Sequence, residues 1–288
     1  MMFIRYPGSK AKLGPNIIRH VPVQHFVENG MFAKPLDCYC EPFFGSGAIA
    51  WDLLPAICTT RTRVVVNDKD PGIAALWRAV HDEPKELVRK IRDFTPSAEK
   101  FFEFKEQDGD LGIDPVRLGF QKLALHQMSF SGLGYKAGGP LGGRSQDGQY
   151  KPDCRWNPVR IAAKVLDCHR LMKSVRLFEI HCEDFAATLG RLPASAFAYL
   201  DPPYYKKGDE LYRHSMADED HARLAAVLQG AAYRWILSYD DHERIRQLYS
   251  WAHISSFEMT ATIDTKSGVK RRKNREIVIR SLNLNGAA

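Results

Sequence analysis

The tetrad Asp201-Pro202-Pro203-Tyr204 closes the run Ala196-Phe197-Ala198-Tyr199-Leu200. That run is apolar and aromatic and contains no breaker, which predicts a buried strand. It delivers an acid, two rigid prolines and an aromatic ring to one edge of a sheet. The prolines fix φ and carry no N–H, so the Asp201 carboxylate and the neighbouring carbonyls form a surface made only of acceptors. Such a surface suits an amino group on a planar ring: the acceptors take the N–H bonds and Tyr204 stacks on the ring. A strand ending in a proline-rich turn with no ligand would read the same way, so the rest of the chain has to decide.

Three further groups bear on that choice. Phe44-Gly45-Ser46-Gly47 follows a first predicted strand, and glycines there let the chain turn tightly and bring backbone close to a ligand. The turn lacks the third glycine of the dinucleotide fingerprint and holds no basic residue, which argues for a ligand without phosphates. Asp68 ends a second strand, 21 residues after Gly47, a spacing at which an acid can accept from ribose hydroxyls; a helix N-cap is the alternative. Asp184 and Phe185 follow a third strand, where the acid can meet an adenine amino group and the ring can cover the base. Together these describe a nucleoside without phosphates lying across strand ends, beside a pocket for a planar amine. S-adenosylmethionine fits the first role and adenine the second.

The composition is compatible. Of 288 residues, 44% are hydrophobic, enough for a substantial core, and 41 Lys plus Arg against 34 Asp plus Glu give a formal charge of +7, with a pI near 9.0. That excess suits a polyanionic partner. No run reaches about 18 apolar residues, so no membrane span is expected. The segment Met1 to Pro7 is too short and polar for a signal peptide, which predicts a cytosolic protein. The six cysteines form no C-x-x-C pair. Cys154, Cys168 and His169 come nearest to a ligand group, and buried, reduced thiols without metal are the expectation.

The elements that must position these residues follow βαβ grammar. Strands are predicted at Leu36–Glu41, Arg63–Asp68, Val175–Cys182, Ala196–Leu200, Trp235–Ser238 and Ile277–Leu282. Helices are predicted from Gly47 through Leu54, around Pro71–Val80, and at Asp218–Gln229 and Asp241–Tyr249. Between the halves, Pro84–Lys105 and Val116–Met128 read as helices. A glycine-rich stretch, Ser131 to Gln149, follows them and reads as a functional or mobile loop. The expectation is a catalytic domain from 1–85 and 176–288, with 86–175 as an inserted target-recognition region.

In motif order the chain resembles the Dam-type DNA adenine-N6 methyltransferases, the D12 class, alpha group. The resemblance covers nearly the whole sequence. Tyr6-Pro7-Gly8-Ser9-Lys10 is similar to the family's N-terminal segment that touches the methyl donor, and Glu41-Pro42-Phe43-Phe44-Gly45-Ser46-Gly47 to its donor loop. Asn67-Asp68, Asp184-Phe185 and Asp201-Pro202-Pro203-Tyr204 match later motifs in order. Phe101–Phe104, Ser129–Leu133 and the tail from Lys273 to Leu282 with Glu276 are also similar. The resemblance implies a Rossmann-like α/β methyltransferase sheet with helices on both faces and an inserted helical DNA-recognition region. It implies S-adenosylmethionine as donor, S-adenosylhomocysteine as product, no metal, and double-stranded DNA as partner. The donor site would comprise Tyr6, Lys10, Glu41, Pro42, Phe43, Phe44, Gly45, Gly47, Asp68, Asp184, Phe185 and Asp201. A stand-alone monomer or weak dimer, bacterial or phage-encoded, is expected.

In the implied reaction Asp201 and the Pro202 carbonyl accept the two amine N–H bonds and aim the nitrogen lone pair, while Pro203 stiffens the turn and Tyr204 stacks on an extruded base. Tyr205 has a structural reading as well. For DNA, Lys266 to Arg275 holds six basic residues and no acid; Lys270, Arg271, Arg272 and Lys273 suit phosphates. The resemblance adds Arg5 as a DNA contact. Relatives that read a short palindrome carry an Asn and an Arg where this chain has Ser131 and Tyr135. Ser131 cannot make bidentate base contacts, whereas Phe130 keeps a ring able to wedge into the stack. The expected target is therefore not G-A-T-C, or the specificity is relaxed, with Lys136, Arg144 and Lys151 gripping backbone. The competing readings are a same-fold methyltransferase acting on RNA or on a protein amide, a non-enzymatic nucleic-acid-binding relative and, more remote, a nicotinamide dehydrogenase.

Overall fold

The computed structural model describes residues 3–4, 36–57, 59–206, 214–260 and 273–282. Seven strands form one mixed sheet in the order β3-β2-β1-β4-β5-β7-β6. They are β1 Cys38–Glu41, β2 Arg63–Asn67, β3 Leu177–His181, β4 Ala196–Leu200, β5 Arg234–Asp240, β6 His253–Thr260 and β7 Lys273–Arg280. The first five run parallel. β7 inserts antiparallel between β5 and β6. β6 is a strand that sequence reading does not find.

The helices in chain order are α1 Ala50–Ile57, α2 Pro71–Asp82, α3 Pro84–Asp93, α4 Ala98–Glu106, α5 Pro115–Met128, α6 Pro158–Lys173, α7 Phe185–Gly190, α8 Asp218–Gln229 and α9 Glu243–Leu248. Side-chain alternation along the strands divides the core in two. Tyr39, Val64, Val66, Phe197, Tyr199 and Ile236 face α1 to α6. Cys38, Cys40, Val65, Ala196, Ala198, Leu200 and Leu237 face α7 to α9. Both faces are covered, which explains why β4 reads as an unbroken apolar run.

The helices between β2 and β3 build onto the sheet's own layer. Leu87, Ile91, Phe101, Phe104, Leu123, Met128, Val165 and Met172 belong to the same apolar cluster as the strand residues. α5 lies directly on α2: a Cβ at Gly119 would stand 2.6 Å from the Leu76 Cα. After α5 the chain makes two short 3₁₀ turns, Phe130–Gly132 and Gly134–Lys136. The glycine-rich stretch beyond them is tied to the end of α5 and to itself by backbone bonds, with Leu141 N–H donating to the Met128 carbonyl at 2.8 Å and Gly148 N–H to the Gly142 carbonyl at 3.2 Å.

Candidate active site

The strand order reverses at β1, whose neighbours are β2 on one side and β4 on the other. In open α/β sheets a crevice forms outside the carboxyl ends at such a point. Four motifs of the sequence reading follow the carboxyl ends of these strands: Glu41 to Gly47 after β1, Asn67-Asp68 after β2, Glu183 to Phe185 after β3, and Asp201 to Tyr204 after β4. Most of their residues wall a cleft of about 960 Å³, including space open to solvent, lined by Glu41 to Ser46, Asn67 to Asp70, Glu183, Phe185, Tyr199, Asp201 and Pro203.

The glycine turn is held from several sides. Gly45 and Gly47 have φ of 49° and 64°, conformations that glycine adopts without steric cost. Trp77 Nε1 donates to the Gly45 carbonyl at 2.8 Å and Trp51 Nε1 to Ser46 at 3.1 Å. Asp68 holds the remaining side: its Oδ2 accepts from Gly45 N–H at 2.7 Å and its Oδ1 from Asp70 N–H at 2.9 Å. The alternative reading of Asp68 as a helix cap is corrected here, because the cap of α2 is Asp70, with Pro71 at the first helical position. Asn67 binds two loops together, donating to the carbonyls of Pro42 at 3.1 Å and Glu183 at 3.2 Å and accepting from Glu183 N–H at 3.0 Å.

The cleft is rich in carboxylates. Burial, with the Asp201 charge adding to it, pushes the Glu41 carboxyl up to about 8, against the opposing hydrogen bond from Tyr39. Burial and the neighbouring Asp70 push Asp68 up to about 7. Asp201 is half-buried, and its Oδ1 accepts from Ser238 Oγ at 3.0 Å. Ser238 also meets Tyr199 Oη at 3.0 Å.

Other predicted residues are placed differently. Phe185 lines the cleft, but Asp184 does not. Its carboxylate caps α7 by accepting from Ala186 N–H at 2.9 Å and takes both ends of the Arg223 guanidinium at 2.7 Å. Arg223 also lies 4.4 Å over the Phe185 ring. A base using Asp184 and Phe185 together therefore needs this guanidinium to give way, a partner that sequence reading did not anticipate. Pro202 is buried, and Tyr204 packs half-buried against the apolar cluster on the α7 to α9 face. Tyr205 is committed elsewhere: its N–H donates to Asp240 at 3.0 Å, its hydroxyl to Asp218 at 3.0 Å, and its ring stacks on His242.

Phe130, Tyr135, Lys136 and Arg144 are exposed in and after the 3₁₀ turns, with Arg144 5.0 Å over the Phe102 ring. Lys151 is exposed and donates to the Gln146 carbonyl. Arg5, Tyr6, Lys10, Lys270, Arg271 and Arg272 lie outside the described residues, as do the side chains of Ser131 and Lys273. Among the described residues no group of three or more His, Cys, Asp or Glu is arranged to hold a metal. No helix among them is long and apolar enough to cross a membrane.

Comparison with known proteins decides the family. Residues 6–263 match the model of the D12 class N6 adenine-specific DNA methyltransferases. The chain belongs to this family. DNA adenine methylases of Salmonella typhi and Salmonella typhimurium are each 23% identical to it over 283 residues, spanning 94% of this chain and 91% of theirs. Among solved structures, an rRNA methyltransferase from Streptomyces viridochromogenes covers 97% of this chain and 88% of its own at a TM-score of 0.38 and 13% identity, a likeness too loose to bear on function. As a D12 class protein the chain is a DNA N6-adenine methyltransferase, and membership implies S-adenosylmethionine as methyl donor. The cleft suits such a donor: Glu41, Asp68, Asp70 and Asp201 on its walls favour a cation, and Phe43, Phe44 and Phe185 offer ring surfaces.

Proposed function

We propose that this enzyme extrudes an adenine from double-stranded DNA and methylates its N6 at a target other than G-A-T-C, or with relaxed specificity. The observation that carries the proposal is the meeting of Asp201 and the Gly45 turn on one cleft, each fixed by residues of neighbouring strands. In this reading Glu41, Pro42, Phe43, Phe44, Gly45, Gly47, Asp68 and Phe185 hold the donor, with Tyr6 and Lys10 contributing from the N-terminal segment, and Asp184 joins them only where Arg223 gives way. The donor supplies an electrophilic methyl group. Asp201 and the Pro202 carbonyl accept the two N–H bonds of the adenine amine, which keeps its lone pair free of the ring and directed along the line of attack. Tyr204 covers the extruded base, whose removal from the stack costs a few kcal/mol.

The sheet domain of 1–85 and 176–288 carries the chemistry, and 86–175 carries target recognition. Phe130 wedges into the stack, while Lys136, Arg144, Lys151, Arg5 and the basic Lys270–Lys273 tail contact phosphates. Ser131 and Tyr135 leave the reading of bases weak, because neither makes the bidentate contacts that Asn and Arg make. The protein acts as a monomer or weak dimer in the cytoplasm of a bacterium or of a phage-infected cell.

The test is incubation with labelled S-adenosylmethionine and unmethylated genomic DNA, with Asp201→Ala as control, followed by base-resolution mapping. Adenine-N6 methylation at a short or degenerate site, lost in the control, is the expected result. A map confined to G-A-T-C would overturn the specificity reading. Transfer to RNA in place of DNA would overturn the choice of acceptor.

A further inference from the structure

The Gly45 turn is connected to a buried ammonium on another helix. Lys122 of α5 has a side chain 2% exposed, with Nζ 2.6 Å from Asp70 Oδ2 and 3.0 Å from both oxygens of Asp108. Asp70 Oδ1 accepts from Gly72 N–H at 2.9 Å and Ile73 N–H at 3.3 Å, which fixes the start of α2. The Asp70 N–H donates to Asp68, and the other oxygen of Asp68 accepts from Gly45. The contacts run without a break from Lys122 through Asp70 and Asp68 to the glycine turn, and Asp68 and Asp70 both line the cleft.

A buried ion cluster that only pins α5 to α2 would be a weak stabiliser, replaceable by apolar side chains of similar volume. This one differs in its charge count. Asp68, Asp70 and Asp108 bring three carboxylates to the region, and Lys122 is the cation bonded to two of them. Its charge holds the Asp70 carboxyl below the usual range and opposes the rise at Asp68. Without it the carboxylates would relieve their repulsion by taking up protons or moving apart. A protonated Asp68 has one oxygen fewer to accept with full strength, and the clasp on Gly45 and Asp70 would loosen.

We propose that Lys122 is a positioning residue for the methyl-donor site, holding Asp70 and through it the Asp68 clasp on the Gly45 turn. The proposal rests on the donor-site reading above. The experiment uses the full chain as wild type, Lys122→Met, Asp70→Asn and the double variant. Asn at 70 keeps the cap of α2 and so tests the same link if Lys122→Met fails to fold. Calorimetry gives the affinity for S-adenosylhomocysteine, and fluorescence anisotropy gives the affinity for a fixed DNA duplex. Each single variant should weaken S-adenosylhomocysteine binding by about tenfold or more, as displacement of a ligand-holding loop does, with DNA affinity within about twofold. The double variant should lose no more than the worse single one, since both act through one link. Unchanged S-adenosylhomocysteine affinity in Asp70→Asn would overturn the role of Lys122, as would multiplied losses in the double variant, or parallel losses of both affinities. Failure of the wild type itself to bind S-adenosylhomocysteine would instead overturn the donor-site reading.

Discussion

The hydroxyl of Ser238 on β5 stands 3.0 Å from Oδ1 of Asp201 at the end of β4, with Tyr199 Oη 3.0 Å away on its other side. Asp201 in its ionised form can only accept, so Ser238 donates to it and Tyr199 donates to Ser238. Burial, reinforced by the Asp201 charge, keeps the Tyr199 phenol protonated and able to donate. The relay fixes the orientation of the Asp201 carboxylate at the rim of the cleft. Ser238→Ala should lower the single-turnover methylation rate about tenfold, and Asp201→Asn by about a thousandfold, in the range for loss of a positioned hydrogen-bonding group at the reacting centre. Affinity for S-adenosylhomocysteine should stay within about threefold in Ser238→Ala. A Ser238→Ala enzyme with wild-type rate would show that the relay does not orient Asp201.

Glu41 and Asp68 set a pH dependence. Their folded-state values, about 8 and about 7, lie above the ordinary 4.5 and 3.8. Between those limits the folded chain holds protons that the unfolded chain has released. Their contribution to stability is complete at acid pH and is lost as pH rises through 7 to 8. A cationic donor favours the ionised carboxylates. The melting temperature of the free enzyme should therefore fall from pH 6 to 8.5, while the stabilisation given by the donor grows. Donor binding at pH 7 should release protons, visible as a calorimetric enthalpy that varies with the buffer's ionisation enthalpy. Glu41→Gln should reduce that release, and a buffer-independent enthalpy in the wild type would contradict the assignment.

How much of this was legible depended on whether the signal was local. β4, α8 and the turn after β1 are written in contiguous residues: an apolar run, a periodic helix and a glycine pair. β6 was missed because His253-Ile254-Ser255-Ser256 mixes polar and apolar residues on an edge strand covered on one side only. The cap at Asp70 is signalled by Asp70-Pro71, since Pro is favoured at the first helical position, but the spacing from Gly47 points to Asp68 instead. The pairings of Asp184 with Arg223 and of Asp70 with Lys122 join residues 39 and 52 positions apart. Spacing along a chain carries no information about such pairs until the sheet and helices bring them together.

The α2–α5 crossing offers a stability test. A Cβ at Gly119 would fall 2.6 Å from the Cα and N of Leu76, backbone atoms that cannot rotate away. Gly119→Ala should cost about 1–3 kcal/mol, as overpacking does, read as a lower midpoint in urea. Gly138 and Gly139 have nothing within 4 Å of an added Cβ. Their alanine variants should stay within about 0.5 kcal/mol of wild type. Equal effects at all three positions would mean that the close crossing is not tight in solution.

The 3₁₀ turns after α5 combine a rigid base with exposed rings, and the two features can be tested apart. His126 Nδ1 lies 2.8 Å from the Gly132 carbonyl; since the carbonyl only accepts, the proton sits on Nδ1. Burial holds this imidazole down to about 4, so it is neutral at working pH. Ser129 Oγ accepts from Gly134 N–H at 2.9 Å. On this fixed base Phe130 is 56% and Tyr135 40% exposed, so removing either ring should not disturb the fold. Phe130→Ala should keep its melting temperature and lower kcat/KM for duplex DNA by about tenfold, the loss expected when a wedge no longer offsets unstacking. The loss should shrink on a duplex whose target adenine faces a mismatch, where the base leaves the stack more easily. Lys136→Ala and Arg144→Ala should weaken binding equally across sequences, each reducing the salt dependence by about one phosphate contact. Should Phe130→Ala lose equally on matched and mismatched duplexes, the ring would be a surface contact and not a wedge.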